Sequence, residues 1–115
     1  MSEPIKVFNV HDTPAIIEEE GREQIRRIVT MKSADAKAFS FHVTHFDGGH
    51  ERFNANVKDE EVLFILDGEM TVSYDGEEHC LRPGSTLYFK PGASFQHKVG
   101  VQGVTFVVVC SPPRE

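Results

Sequence analysis

From Gln24 onward, apolar and polar residues alternate in short runs, and most of the runs are separated by glycine turns. Period-two alternation is the mark of a strand with one face covered. Met70, Val72 and Tyr74 share one face, and Thr71, Ser73 and Asp75 the other. The pattern predicts strands over Arg26–Lys32, Phe39–Asp47, Arg52–Val57, Glu61–Asp67, Met70–Asp75, Glu78–Arg82, Ser85–Lys90, Ser94–Val99 and Val104–Cys110. The turns between most of them fall at Gly48-Gly49, Asp67-Gly68, Asp75-Gly76, Pro83-Gly84, Pro91-Gly92 and Gly103. Ahead of these, Ile5 to Val10 reads as a first strand. Asp12 or Thr13 is placed to cap a short helix between residues 13 and 20, with Pro14 in its first turn and Gly21 as its stop. Many short strands at regular spacing with one helix predict an all-β sandwich or barrel.

A chain of 115 residues is the size of one domain. We expect an N-terminal arm of strand and helix over residues 1–23 and a β-barrel over 24–113. The formal net charge is −6, and the basic residues are scattered, with only Arg26 and Arg27 adjacent. Nucleic-acid binders concentrate positive charge on one face, so no nucleic-acid partner is expected. No apolar run is long enough to span a bilayer, and no charged-then-apolar leader opens the chain, so a soluble, unprocessed protein with no membrane partner is expected. Cys80 and Cys110 lack metal-site spacing. They read as reduced thiols in a cytoplasmic protein.

Six residues stand out as candidate chemistry in the strand pattern. Glu61 opens the run Glu61-Val-Leu-Phe-Ile-Leu66 on the face of Leu63 and Ile65, and both faces of that strand look buried. A carboxylate there needs a cation or a partner. It is either a metal ligand or general base, or a structural acid at the exposed strand start or paired with an arginine such as Arg27 or Arg52. His97 shares a face with Phe95 and Val99, as a ligand, a proton shuttle or a histidine satisfied by backbone. Asn54 and Asn56 share a face, and either give amide oxygens to a ligand or stand as hydrogen-bonded polar groups in a barrel mouth. One of Arg26 and Arg27 faces inward, able to clamp a carboxylate in the bidentate geometry of a guanidinium. Tyr88 is either an acid or ligand or a wall aromatic. Among the other histidines, His42 and His45 fall on opposite faces, His50 reads as loop, and His11 and His79 as exposed.

The stretch from Asn54 to Gly68 and the turn motif from Gly84 to His97 resemble the two sequence motifs of the cupin superfamily. The resemblance implies a small antiparallel jelly-roll barrel with a ligand pocket at its mouth. It also implies a metal site, but Asn54, Asn56 and Phe95 stand at the three histidine positions and only Glu61 is retained. A closer resemblance, to ectoine synthase, a cupin-fold cyclase, rests on Arg26-Arg27, Phe39-Ser-Phe-His-Val-Thr44, Glu61 to Glu69, Leu81-Arg-Pro-Gly84, Thr86-Leu-Tyr88, His97 and Cys110-Ser-Pro-Pro113. That family lacks the paired histidines as well. It implies iron held by Glu61, Tyr88 and His97, with Arg27 and Thr44 contacting substrate. The expectation is a small-molecule-binding cupin, a metal-assisted lyase, cyclase or isomerase using a divalent ion (Fe, Mn or Zn). The alternatives are a metal-free ligand-binding cupin and a structural one without activity. The resemblance also implies a homodimer, in which the apolar first strand covers an exposed edge.

Overall fold

The computed structural model describes residues 4–114. Eight strands are present: β1 (Ile16–Glu18), β2 (Glu23–Val29), β3 (Ser40–Phe46), β4 (Glu51–Asn56), β5 (Glu60–Tyr74), β6 (Glu77–Leu81), β7 (Thr86–Phe89) and β8 (Ser94–Ser111). All pairings are antiparallel, in the order β1-β2-β3-β8-β5-β6, with β4 added to β8 and β7 to β5. The all-β architecture is the one the alternation predicts.

Two long strands organise the barrel. Where the sequence pattern divides residues 61–75 and 94–110 into two strands each, β5 and β8 run through. Residues 94–98 of β8 pair with β4, and residues 96–99 with the far half of β5, while 104–111 pair with β3 and the near half of β5. Both strands thus belong to both walls and must bend in the middle. Gly68 and Gly103 meet at that bend: Gly68 has φ +77°, and a Cβ on it would lie 2.0 Å from the carbonyl oxygen of Gly103. Only glycine permits this backbone and this approach.

Alternation then sorts the faces. Leu63, Ile65, Met70 and Val72 of β5 join Val99, Val104, Phe106 and Val108 of β8 in the core. Each fully buried apolar side chain contributes roughly 1.5–3 kcal/mol relative to exposure. The opposite face of β5 is not buried as expected. Val62, Phe64 and Leu66 are 38, 41 and 48% exposed among the described residues.

The N-terminal expectations are corrected by the structure. Residues 5–9 form no strand, and Ile5 and Val7 lie almost fully exposed. Among the described residues a single short α-helix exists, but at α1 (Met31–Ala34), where Thr30 and Ser33 form a capping box. Residues 13–20 instead give β1, with Ile16 opposite Ile25, flanked by 3-10 turns at Val10–Asp12 and Glu19–Gly21. The free edge of β2 offers a hydrogen-bond ladder to the β-branched Ile16 and Ile17, whereas a lone helix that short is marginal in water. Arg26 ties the arm down by donating to the carbonyl oxygen of Thr13.

Candidate active site

The barrel encloses a cavity of about 410 Å³, the size of a small-ligand pocket. Its lining follows from strand phase. Glu23, Ile25 and Arg27 enter from β2, and His42, Thr44 and Phe46 from β3. Glu61 and Leu63 come from β5, and Phe95 and His97 from β8. Residues four apart on one strand are about 13 Å apart. Arg27 and His42 are register partners, as are Glu23 and Phe46, so these pairs mark two ends of the cavity.

At the first end the C-terminal segment enters the site. Ser111 Oγ donates to the carbonyl oxygen of Ala38 at 2.7 Å, and the Arg114 backbone N–H to Ser40 Oγ at 2.9 Å. These contacts carry the Arg114 guanidinium across the cavity mouth onto Glu61 Oε2. Burial raises the Glu61 carboxyl above its ordinary range, and Arg114 opposes that rise. His42, bonded to Ser40 Oγ at 2.8 Å, is driven down to about 4 by burial and by the charges of Arg114 and Arg27. Among the described residues, this end brings Arg27 and Arg114 beside Glu61 and a neutral His42.

At the second end His97 lies between Phe95 and Phe46. Its Nε2 is 3.0 Å from His50 Nδ1, and His50 Nε2 is 2.6 Å from Glu19 Oε2. Arg52 donates to Glu19 Oε1 at 2.6 Å and to the buried Glu23 Oε2 at 3.0 Å. Phe46, His50 and His97 stack nearly parallel, with centroids 4.4 to 5.2 Å apart. Burial, with His50 and Arg52 adding to it, lowers His97 to about 4, so it is neutral at pH 7. Arg52 holds the Glu19 carboxyl below the usual range.

Of the residues singled out from sequence, Arg27, Thr44, Asn54, Asn56, Glu61 and His97 all line the cavity. Asn54 and Asn56 are exposed at its mouth, and Asn56 Oδ1 accepts from Ser94 Oγ. Tyr88 is a correction. It pairs with Val62 on the outer face, is 54% exposed, and donates to Glu60 rather than joining Glu61 and His97. One position of strand phase separates it from the inward Leu87 and Phe89. His50 lies in the loop after β3, as the sequence reads it, but its side chain is only 1% exposed. The turn at Gly48-Gly49 folds its side chain back under Phe46. Glu19, Glu23, Arg52 and Arg114 carried no periodic signal that marked them as site residues.

The donor set does not fit an ion at the position the fold family implies. Asn54 and Asn56 are weak ligands for transition metals, and Phe95, stacked on Phe89, offers none. Glu61, the one charged donor there, is already neutralised by Arg114. Among the described residues one group of metal-ligating side chains converges, Glu19, Glu23 and His50, with ligand atoms within 4.8 Å. In composition and spacing it is compatible with a metal ion. In charge it is already satisfied by Arg52, which bridges both carboxylates.

Comparison with solved structures shows the fold. The polyketide cyclase RemF from Streptomyces resistomycificus superposes with a TM-score of 0.81 at 19% identity, over 95% of this chain and 82% of that one. KdgF from Halomonas sp. gives 0.77 at 16% identity, over 95% and 96% of the two chains. The formate complex of Lactobacillus farciminis oxalate decarboxylase gives 0.78 at 20% identity, over 99% of this chain and 36% of that one. A search of curated proteins finds no match. The sequence model of the cupin domain matches residues 42–110, which is more than half the chain, runs from within β3 to within β8 and includes both motif regions; the protein belongs to the cupin domain family.

Proposed function

We propose that the barrel binds a small organic molecule bearing a carboxylate and moves a proton on it, as an isomerase, lyase or cyclase does. The observation that carries this reading is the pairing, in one cavity, of a guanidinium-rich end with a neutral imidazole at the other. Arg27 and Arg114 both line this end, and a guanidinium fork matches a carboxylate in shape and charge. Thr44, midway along β3, lends a hydroxyl to orient a polar group. His97 is a base that needs no prior deprotonation at neutral pH. The resemblance to ectoine synthase supports the cyclisation member of this set, since Arg27 and Thr44 both line the cavity. The fold neighbours do not carry the ligand class, which is argued from this cavity's own charges.

Calorimetry with a panel of small mono- and dicarboxylates tests the reading. Saturable binding is expected, weakened about 10-fold or more in Arg27→Ala, the loss of one charge-assisted bidentate contact. Absence of binding to any carboxylate at millimolar concentration would end it. Titration with Fe(II) under anaerobic conditions, Mn(II) and Zn(II) separates the metal-assisted form. No saturable uptake at Glu61 is expected, because Arg114 occupies its carboxylate. Uptake abolished by Glu61→Ala would restore that form.

The partner proposed besides the ligand is a second copy of the chain. Ile5 and Val7 on the arm, and Val62, Phe64 and Leu66 on the outer sheet face, are apolar and exposed, which supports a covering surface. Light scattering should give a dimer mass at micromolar concentration; a monomer mass would overturn this. The two free thiols, Cys80 and Cys110, support a reducing, cytoplasmic location.

A further inference from the structure

Resting on the reading of His97 as the base, we infer that Glu19 and His50 are positioning residues that fix the tautomer of His97, leaving the lone pair on its Nδ1. The chain of contacts gives the assignment for a singly protonated His50. An ionised carboxylate only accepts, so at 2.6 Å Glu19 Oε2 requires a proton on His50 Nε2. With His50 singly protonated, at Nε2, its Nδ1 is bare and at 3.0 Å accepts from His97 Nε2–H. The remaining nitrogen of His97, Nδ1, carries the lone pair. The logic is that of a carboxylate orienting a catalytic imidazole, with one more imidazole interposed.

The surroundings are built to hold this geometry. Both oxygens of Glu19 are used, Oε1 by Arg52 and Oε2 by His50, which orients the carboxylate. His50 is clamped by the stack with Phe46 at 4.4 Å and 12°. Glu19 and its neighbour Glu20 sit at φ +52° and +59°, a left-handed backbone that non-glycine residues adopt at a cost. Strain of this kind persists where the surroundings over-determine the residue, and here it aims Glu19 at His50. The charged and titratable groups around His97 are His50 from the turn after β3, Glu23 from β2, Arg52 from β4 and, through His50, Glu19. In the proposed reaction His97 Nδ1 takes a proton from the bound molecule and returns it to another atom of the same molecule. Nε2–H stays donated to His50 throughout, and Glu19 stabilises the transient imidazolium through His50.

The tautomer is read directly, on the free full-length protein labelled with nitrogen-15, by long-range proton–nitrogen correlation at pH 7. His97 should show a protonated Nε2 and a bare Nδ1. In Glu19→Gln the amide offers both a donor and an acceptor, so His50 is no longer forced and the single-tautomer shifts of His97 should collapse toward those of a freely exchanging imidazole. His50→Phe keeps the stack and should have the same effect. A wild-type His97 protonated at Nδ1, the state a doubly protonated His50 would impose, overturns the inference. So does an unchanged tautomer in both variants. Because the spectrum needs no ligand and no turnover, its outcome is separate from that of the carboxylate titration. If carboxylates fail to bind while the tautomer holds, the function fails and the positioning role stands.

Discussion

Between pH 6.5 and 4 the protein should lose roughly 6 kcal/mol of folding free energy, roughly 3 from each of two buried histidines. His42 and His97 are lowered to about 4, in both cases chiefly by burial, from an ordinary value of 6.5. A histidine whose folded value is depressed contributes stability that is full above its unfolded value and is lost as pH falls toward the folded one. Below pH 6.5 the unfolded chain takes up both protons while the fold refuses them. A loss of this size is comparable to the whole stability of many small domains, so the fold should be close to its acid transition near pH 4. Glu61 acts in the opposite sense, since its raised carboxyl favours the fold on the acid side. Urea unfolding at pH 7 and pH 4.5 measures the change, and His42→Leu should remove about half of it. Equal midpoints at the two pH values would show that neither histidine is held neutral.

Arg114→Ala should cost about 2 kcal/mol at pH 8, less than the full penalty for breaking a buried ion pair because Arg114 is 42% exposed. The substitution leaves the Arg114 backbone bond to Ser40 in place, so it isolates the guanidinium. What remains is a carboxylate facing the cavity without its cation. Burial already raises Glu61 in the native protein, and losing Arg114 raises it further. A carboxyl raised in the folded state contributes stability that is present below its unfolded value of 4.5 and lost as pH rises through the folded one. The difference between variant and wild type should therefore vanish in acid and grow toward alkaline pH. Adding Glu61→Gln to Arg114→Ala should recover most of the loss, since no charge is then left unpaired. A cost that is the same at every pH would mean that packing, not charge, links the two residues.

Alternation by itself determined which strand residues point inward. His97 reaches the cavity because a strand reverses its side-chain direction at every residue, and the polar Gln96 and Lys98 beside it reveal the phase; Glu61 follows the face of Leu63 and Ile65, and Thr44 was marked by the resemblance alone. Glycine turns marked the reversals at Gly48-Gly49, Asp75-Gly76, Pro83-Gly84 and Pro91-Gly92, whereas Gly68 and Gly103 mark bends within β5 and β8; the chain belongs to the fold class that the alternation and turns predict. Tyr88 shows where the period gives no answer. Leu87, Tyr88 and Phe89 are all apolar enough for either face, so only the pairing of Tyr88 with Val62 puts it outside. The same ambiguity made both faces of β5 look buried. The helix expected between residues 13 and 20 gave way to β1 because the open edge of β2 decided that segment, not its caps.

The partners of the site residues were decided only by the tertiary structure, for a common reason. Glu19, His50 and Arg114 lie in turns and a terminal segment, where no repeating period ties side-chain direction to sequence. Their contacts span 31, 47 and 53 positions along the chain, from Glu19 to His50, His50 to His97 and Arg114 to Glu61. An acid on an apolar strand says that a cation must come to it. Whether that cation is a metal ion or a guanidinium depends on where the far end of the chain is stapled, and here Ser40 and Ala38 bring Arg114 to Glu61.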